Sequence, residues 1–151
     1  MIQTRHLFTV VIDVPRVVDL GATPNGHRRI ATVSGGRFQG ERLNGTIQPS
    51  PGGDWLLLRP DGVLVLDVRL TLETDDGQLI YMTYRGLRHG PADVIARLNR
   101  GEPVDPASYY FRTTPVFETA SPKYEWLNRI VAVATGRREP SGPTYDVHEV
   151  L

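Results

Sequence analysis

The run from Val63 to Thr74 constrains the fold more than any other stretch of the chain. Leu64, Leu66, Val68, Leu70 and Leu72 occupy one set of alternate positions, and Asp67, Arg69, Thr71 and Glu73 the other. A period of two is that of a β-strand with one face against a core. Pro60-Asp61-Gly62 precedes the run and Asp75-Asp76-Gly77 follows it. Asp-Gly pairs favour tight hairpins, so this segment is expected to pair antiparallel with a neighbour on each side.

The rest of the chain reads the same way. Strands are expected over 7–13, 28–33, 38–48, 55–59, 78–86, 109–119, 127–135 and 145–150. Gly40 and Gly45 fall inside one of them, where glycine marks the bends or bulges that a closing sheet needs. One segment departs from this pattern. Pro91–Arg100 carries Val94, Ile95 and Leu98 at helical spacing, with Pro91 suited to a first turn and Gly101 to a C-terminal cap. It predicts one short helix, and Ser121-Pro122 can start a shorter helical turn. The expected fold is all-β: one antiparallel barrel of about eight to ten strands with a helix near 91–100. The short Pro and Gly clusters read as turns rather than as a seam, so residues 1–151 are expected to form one domain.

Composition narrows the function classes. Lys+Arg and Asp+Glu both number 17, so the chain has no global field to hold nucleic acid. Cysteine is absent, which removes thiolate catalysis, disulfides and sulfur-ligated metal. His6, His27, His89 and His148 lack metal-ligand spacing, so no metal site is expected. Gly35-Gly36-Arg37-Phe38-Gln39-Gly40 does not match the dinucleotide fingerprint, and no nucleophile elbow is present. No cofactor is expected. The apolar run 7–12 is too short for a secretory segment and no window reaches a membrane span, which predicts a cytoplasmic protein.

A barrel of this size is either filled by side chains or holds one small ligand. The polar face of 63–74 is then a solvated wall or a polar lumen. In the next conspicuous strand, Arg112 alternates with Tyr110, Thr114, Val116 and Glu118. An arginine set among aromatics either pairs with a carboxylate or grips an anion with its planar fork. The candidate chemical residues are therefore Arg112, Glu118 and Asp67. Trp126 and Asn128 are expected to share a strand face and to stack on and orient a flat ligand. Trp55, Tyr110 and Tyr81 complete the candidate walls. Tyr81 and Tyr84 lie on opposite faces, so one of them points inward.

Several of these strings occur together in a known family. Tyr109-Tyr110-Phe111-Arg112-Thr113, Phe117-Glu118-Thr119, Tyr124 and Trp126-Leu127-Asn128-Arg129 join Gly35 to Gly40, Asp54-Trp55 and Thr74-Asp75-Asp76-Gly77. Together they resemble the small bacterial and fungal proteins of the domain-of-unknown-function 3237 family, over about residues 5–150. The resemblance implies a single antiparallel barrel, somewhat like lipocalins or allene oxide cyclase. It also hints at cyclase, isomerase or lactone chemistry on aromatic or polyketide-like compounds, and it carries no agreed catalytic set. Two functions are therefore expected: a cofactor-free enzyme acting on a small oxygenated substrate in the lumen, or a non-catalytic ligand-binding or structural barrel. The consecutive Leu56, Leu57 and Leu58 place an apolar side chain outward, which favours a homo-oligomer.

Overall fold

A computed structural model describes residues 1–151. Eleven strands form one sheet: β1 (Thr4–Asp13), β2 (Arg16–Thr23), β3 (Gly26–Thr32), β4 (Gly35–Gln39), β5 (Asn44–Ile47), β6 (Gly53–Leu58), β7 (Leu64–Thr74), β8 (Leu79–His89), β9 (Tyr110–Glu118), β10 (Ala132–Glu139) and β11 (Gly142–Val150). Their order is β2-β3-β6-β7-β5-β4-β1-β11-β10-β9-β8, and β8 returns to pair with β7. Eight strands, from β7 through β5, β4, β1, β11, β10 and β9 to β8, therefore close an antiparallel barrel. Strands β6, β3 and β2 extend from it.

The branch occurs on β7. One edge of β7 pairs with β8 from Leu64↔Arg88 to Glu73↔Leu79. The other edge is shared: β6 takes its first half (Leu58↔Leu64 to Gly53↔Arg69), and β5 its second (Ile47↔Leu72 to Gly45↔Thr74). Close approach at the β5 junction requires glycine. A Cβ on Gly45 would stand 2.0 Å from the Glu73 carbonyl oxygen.

Alternation decides what fills the barrel. Leu66, Val68, Leu70 and Leu72 of β7, Ile80, Met82 and Tyr84 of β8, Phe111 and Phe117 of β9, and Tyr145 and Val147 of β11 are buried. At one end Phe8 packs against Phe38 and Phe117, with ring centroids 5.5 and 5.9 Å apart. A 3-10 segment, Pro122–Arg129, buries Tyr124 and Leu127 against this core. The Tyr124 hydroxyl donates to Asp76 at 2.9 Å, and Lys123 pairs with the same carboxylate at 2.8 Å. Lys123, first, and the Thr74 hydroxyl hold the Asp76 carboxyl below the usual range. The β7–β8 turn is thereby fastened to the 3-10 segment. No helix in the molecule is long and apolar enough to cross a membrane.

Three local expectations are corrected. Residues 38–48 form two strands, because the chain turns between Gln39 and Asn44, where the Asn44 side chain accepts from the Gly40 N–H. The strand expected from residue 127 starts at Ala132, since the helical turn beginning at Pro122 runs on to Arg129. Strand β2 was not expected at all; nearly all of it is exposed, so no apolar alternation marks it. The helix expected over 91–100 is α1, Ala92–Asn99.

Truncating the filled end tests this packing. Phe8→Ala is expected to cost about 3–5 kcal/mol, read from urea unfolding, because the residue is fully buried and its ring contacts cannot collapse onto a substitute.

Candidate functional site

At the other end the barrel is not filled. The starts of β7, β9 and β11 and the ends of β8 and β10 surround a cavity of about 220 Å³. Strands β6 and β3 and helix α1 also contribute to its lining through Asp54, Leu56, Arg29 and Leu98. Leu56, Leu66 and Phe111 make its walls apolar. Its polar groups are Asp54, Arg29, Arg88, Asn99, Arg138 and Tyr145.

Asp54 sits where the β6–β7 ladder is interrupted. The pairing Gly53↔Arg69 and Asp54↔Val68 resumes only at Leu57↔Val65, in the same register. In the gap the Asp54 carboxylate accepts the Asp67 backbone N–H at 3.2 Å. The Arg28 side chain donates to the Trp55 and Leu56 carbonyls at 3.0 and 3.4 Å. A side chain thus replaces a ladder bond, and an acid is held on the inner face of the sheet. Burial pushes its carboxyl up to about 7; the Asp67 N–H and the charge of Arg88 oppose that rise, and the charge of Asp67 adds to it.

Tyr145 and Tyr84 pack edge to face at 5.1 Å, and Phe111 meets Tyr145 at 5.3 Å. The Tyr145 hydroxyl is buried; its polar neighbour is the Tyr84 hydroxyl, and no hydrogen bond of good geometry reaches it. Burial, first, and the Asp54 charge hold this phenol above its ordinary value, so it stays a proton donor. Tyr84 is raised in the same direction, by burial first and then by its neighbour Tyr145. The Arg88 guanidinium lies 6.0 Å from the Phe111 ring, and its Nε is buried without a partner. Gly136 makes room for that ring: a Cβ there would meet Phe111 at 2.7 Å.

The residues singled out from sequence lie elsewhere. Arg112 and Glu118 are on the outer face of β9, because Phe111, Thr113, Pro115 and Phe117 take the inner positions. Arg112 donates to the Phe111 carbonyl at 2.9 Å and lies 5.1 Å from the Tyr110 ring, in an open groove on the outer wall. Glu118 stands opposite exposed Tyr81. Asp67 faces outward between Arg69 and Arg85, at 3.6 and 3.8 Å. The expectation that these three line the lumen is corrected by strand parity, and the charged face of β7 is a solvated wall. Of the two tyrosines of β8, Tyr84 points inward. Trp55 lies on the face of β6 opposite Asp54, with Arg69 5.1 Å from its ring. Trp126 lies under Arg42 at 3.5 Å. Asn128 accepts from the Thr119 N–H at 2.8 Å and donates to the Thr119 carbonyl at 2.9 Å, a backbone clasp far from the cavity.

Comparison with known proteins agrees with this architecture. The family model "Protein of unknown function (DUF3237)" matches residues 2–150. The chain belongs to the DUF3237 family. A UPF0311 protein of Rhodopseudomonas palustris is 38% identical over 150 residues, covering 99% of this chain and 97% of that protein. A crystal structure of a conserved protein of unknown function from R. palustris superposes with a TM-score of 0.95 at 38% identity, covering 100% of this chain and 99% of that one. A β-barrel-like protein from Acinetobacter baumannii gives 0.87 at 42% identity, covering 100% and 97%. A structure described as an enzyme from Penicillium herquei shares the fold, with a TM-score of 0.75 at 19% identity over 99% and 95% of the chains.

The raised Asp54 carboxyl makes stability depend on pH. Folding strengthens its proton binding, so the contribution is full below its ordinary value of 3.8 and is lost as pH rises through about 7. Asp54→Asn removes that slope. Chemical unfolding of the variant between pH 4 and 8 is expected to show a flatter stability profile than the parent, with the variant relatively more stable at pH 8.

Proposed function

We propose that this protein is a cofactor-free acid–base enzyme of the cytoplasm that acts on a small, oxygenated, aromatic or polyketide-like substrate in the barrel cavity. The observation that carries this reading is the presence in one cavity of Asp54, a largely enclosed carboxyl poised near neutral pH, and the Tyr145 hydroxyl, which no hydrogen bond of good geometry engages. A general base works best when its pKa lies near the working pH. A phenol donor held in a fixed position is suited to stabilising a developing oxyanion.

The chemistry follows from these two groups. The Asp54 carboxylate takes a proton from carbon next to a carbonyl, and the C–H electron pair moves onto the carbonyl oxygen. The Tyr145 hydroxyl hydrogen-bonds to that oxygen and keeps its own proton. With a β,γ-unsaturated substrate the extended enolate takes the proton back from Asp54 at the γ carbon as the carbonyl re-forms and the C=C moves into conjugation, an isomerisation. With a second carbonyl in the molecule the enolate carbon attacks that carbonyl carbon, and its oxygen takes the C=O electron pair and the proton from Asp54, a cyclisation. The Penicillium enzyme supports the reading only in that the same fold houses catalysis in one relative.

The test is deuterium incorporation from D2O into a panel of enolisable cyclic ketones and lactones, followed by NMR. Exchange catalysed by the parent is expected to fall at least about a hundredfold in Asp54→Asn. It should fall less steeply in Tyr145→Phe. No exchange by the parent on any member of the panel, with ligands still bound in the cavity, would leave a carrier rather than an enzyme.

The reading includes a homo-oligomer. Strand β2 is a free edge, pairing only with β3, and Val17, Val18 and Leu20 on it are exposed. Bare edges of this kind are usually blocked or paired. Antiparallel self-pairing of Val17 with Val18 would bring Arg16 of each copy opposite Asp19 of the other, a charge match that favours a second copy of this chain. Light scattering on an eluting column should give a dimer or larger, and Val18→Lys should shift it to monomer; a monomeric parent contradicts this part.

A further inference from the structure

Two of the three arginines of the cavity, Arg88 and Arg138, have no acid to match them. Arg29, Arg88 and Arg138 all line it, and Asp54 is the one carboxyl among its lining residues. Asp54 is a poor counterion, because burial favours its neutral form. No side chain accepts a hydrogen bond or forms an ion pair with the guanidinium of Arg88 or of Arg138, although Arg137 beside the latter holds Glu139 and Asp146. Arg29 has Asp19, its direct cross-strand neighbour on β2, at 4.0 Å.

Arg88 is the deepest of the three. It follows Ile80, Met82, Tyr84 and Gly86 on the inner face of β8. Its Nε is buried with no partner, and its guanidinium carbon lies 6.0 Å from the Phe111 ring centroid. A buried charged donor left unmatched is costly, and proteins keep such groups where a ligand completes them. Guanidinium presents its donors as a planar fork that fits a carboxylate. The neighbouring walls are Leu56, Leu66 and Phe111, which suit an apolar ring.

We infer that the cavity selects a small monoanion with an apolar body, whose carboxylate or enolate oxygens are gripped by Arg88 with Arg138 and Arg29 at the mouth. This rests on the proposed site and names its substrate class. It orients the ligand: the anionic end meets Arg88, and the ring carbon beside it comes to Asp54 and Tyr145. The anion also offsets the mutual repulsion of the three cations.

The test uses benzoate and its neutral counterpart benzamide, with binding followed by NMR shifts of cavity residues and by calorimetry. Benzoate is expected to bind at least tenfold more tightly than benzamide. Arg88→Gln should remove that preference, and Arg88→Lys, which keeps the charge but not the fork, should retain part of it. Asp54→Asn should bind benzoate at least as well as the parent. Equal affinity for the two probes, an unchanged preference in Arg88→Gln, or no benzoate shift at the cavity would overturn the inference. Should Arg88→Gln unfold, the Arg88→Lys comparison and the parent's preference still decide. The acid–base reading fails separately: benzoate can bind as expected while no variant or parent exchanges deuterium.

Discussion

The architecture depends on β7 having three partners. Pairing with β8 closes the barrel, and pairing with β5 carries the wall around toward β4 and β1. The third pairing, with β6, starts where β5 leaves off and carries β6, β3 and β2 away from the barrel wall. Were β5 to run the full length of β7, nothing would bring Asp54 to the cavity. The division of one strand edge between two partners thus creates both the extension and the interrupted ladder in which the carboxylate sits.

The two ends of the barrel then differ in chemistry. At one, Phe8, Phe38, Phe117, Tyr124 and Leu127 fill the section and the Asp76 clasp fixes the turn above them. This end supplies the apolar burial that stabilises the fold. At the other, the side chains include Asp54, Tyr145 and the arginines, with Gly136 on β10 leaving space for Phe111. Unsatisfied polar atoms are what a stable core avoids; of the five here, those of Tyr145 and Arg88 line this cavity, and those of Thr113, Ser121 and Thr144 do not.

Much of the fold was legible because alternation is a local property. The leucines of 64–72, the Asp-Gly turns and the helix of Val94, Ile95 and Leu98 each declare themselves within a dozen residues. The site was not legible for a related reason. Its residues extend a strand's inner face past the point where apolar alternation stops: Arg88 continues Ile80, Met82 and Tyr84, and Arg138 continues Ala132 and Ala134. Ending those strands at Gly86 and Thr135 hides both arginines. Asp54 shares a face with Leu56, a signal visible in sequence but outweighed by the tryptophan between them. Arg112 stood out because its neighbours are aromatic, yet the parity that buries Phe111 and Phe117 turns it outward. Trp126 and Asn128 read as strand residues until the 3-10 segment reassigns them to a clasp. Conspicuous polar residues within a strand marked the wall, and polar residues at the strand ends marked the cavity.

Asp54, an acid enclosed at the cavity and poised for proton transfer, is tested most directly by its own titration. Carbon-13 labelling of aspartate with assignment by Asp54→Asn allows the side-chain carboxyl to be followed by NMR across pH. A midpoint of about 7 is expected for Asp54. A midpoint near 4 would mean a solvated carboxylate, and the acid–base role assigned to it would not stand.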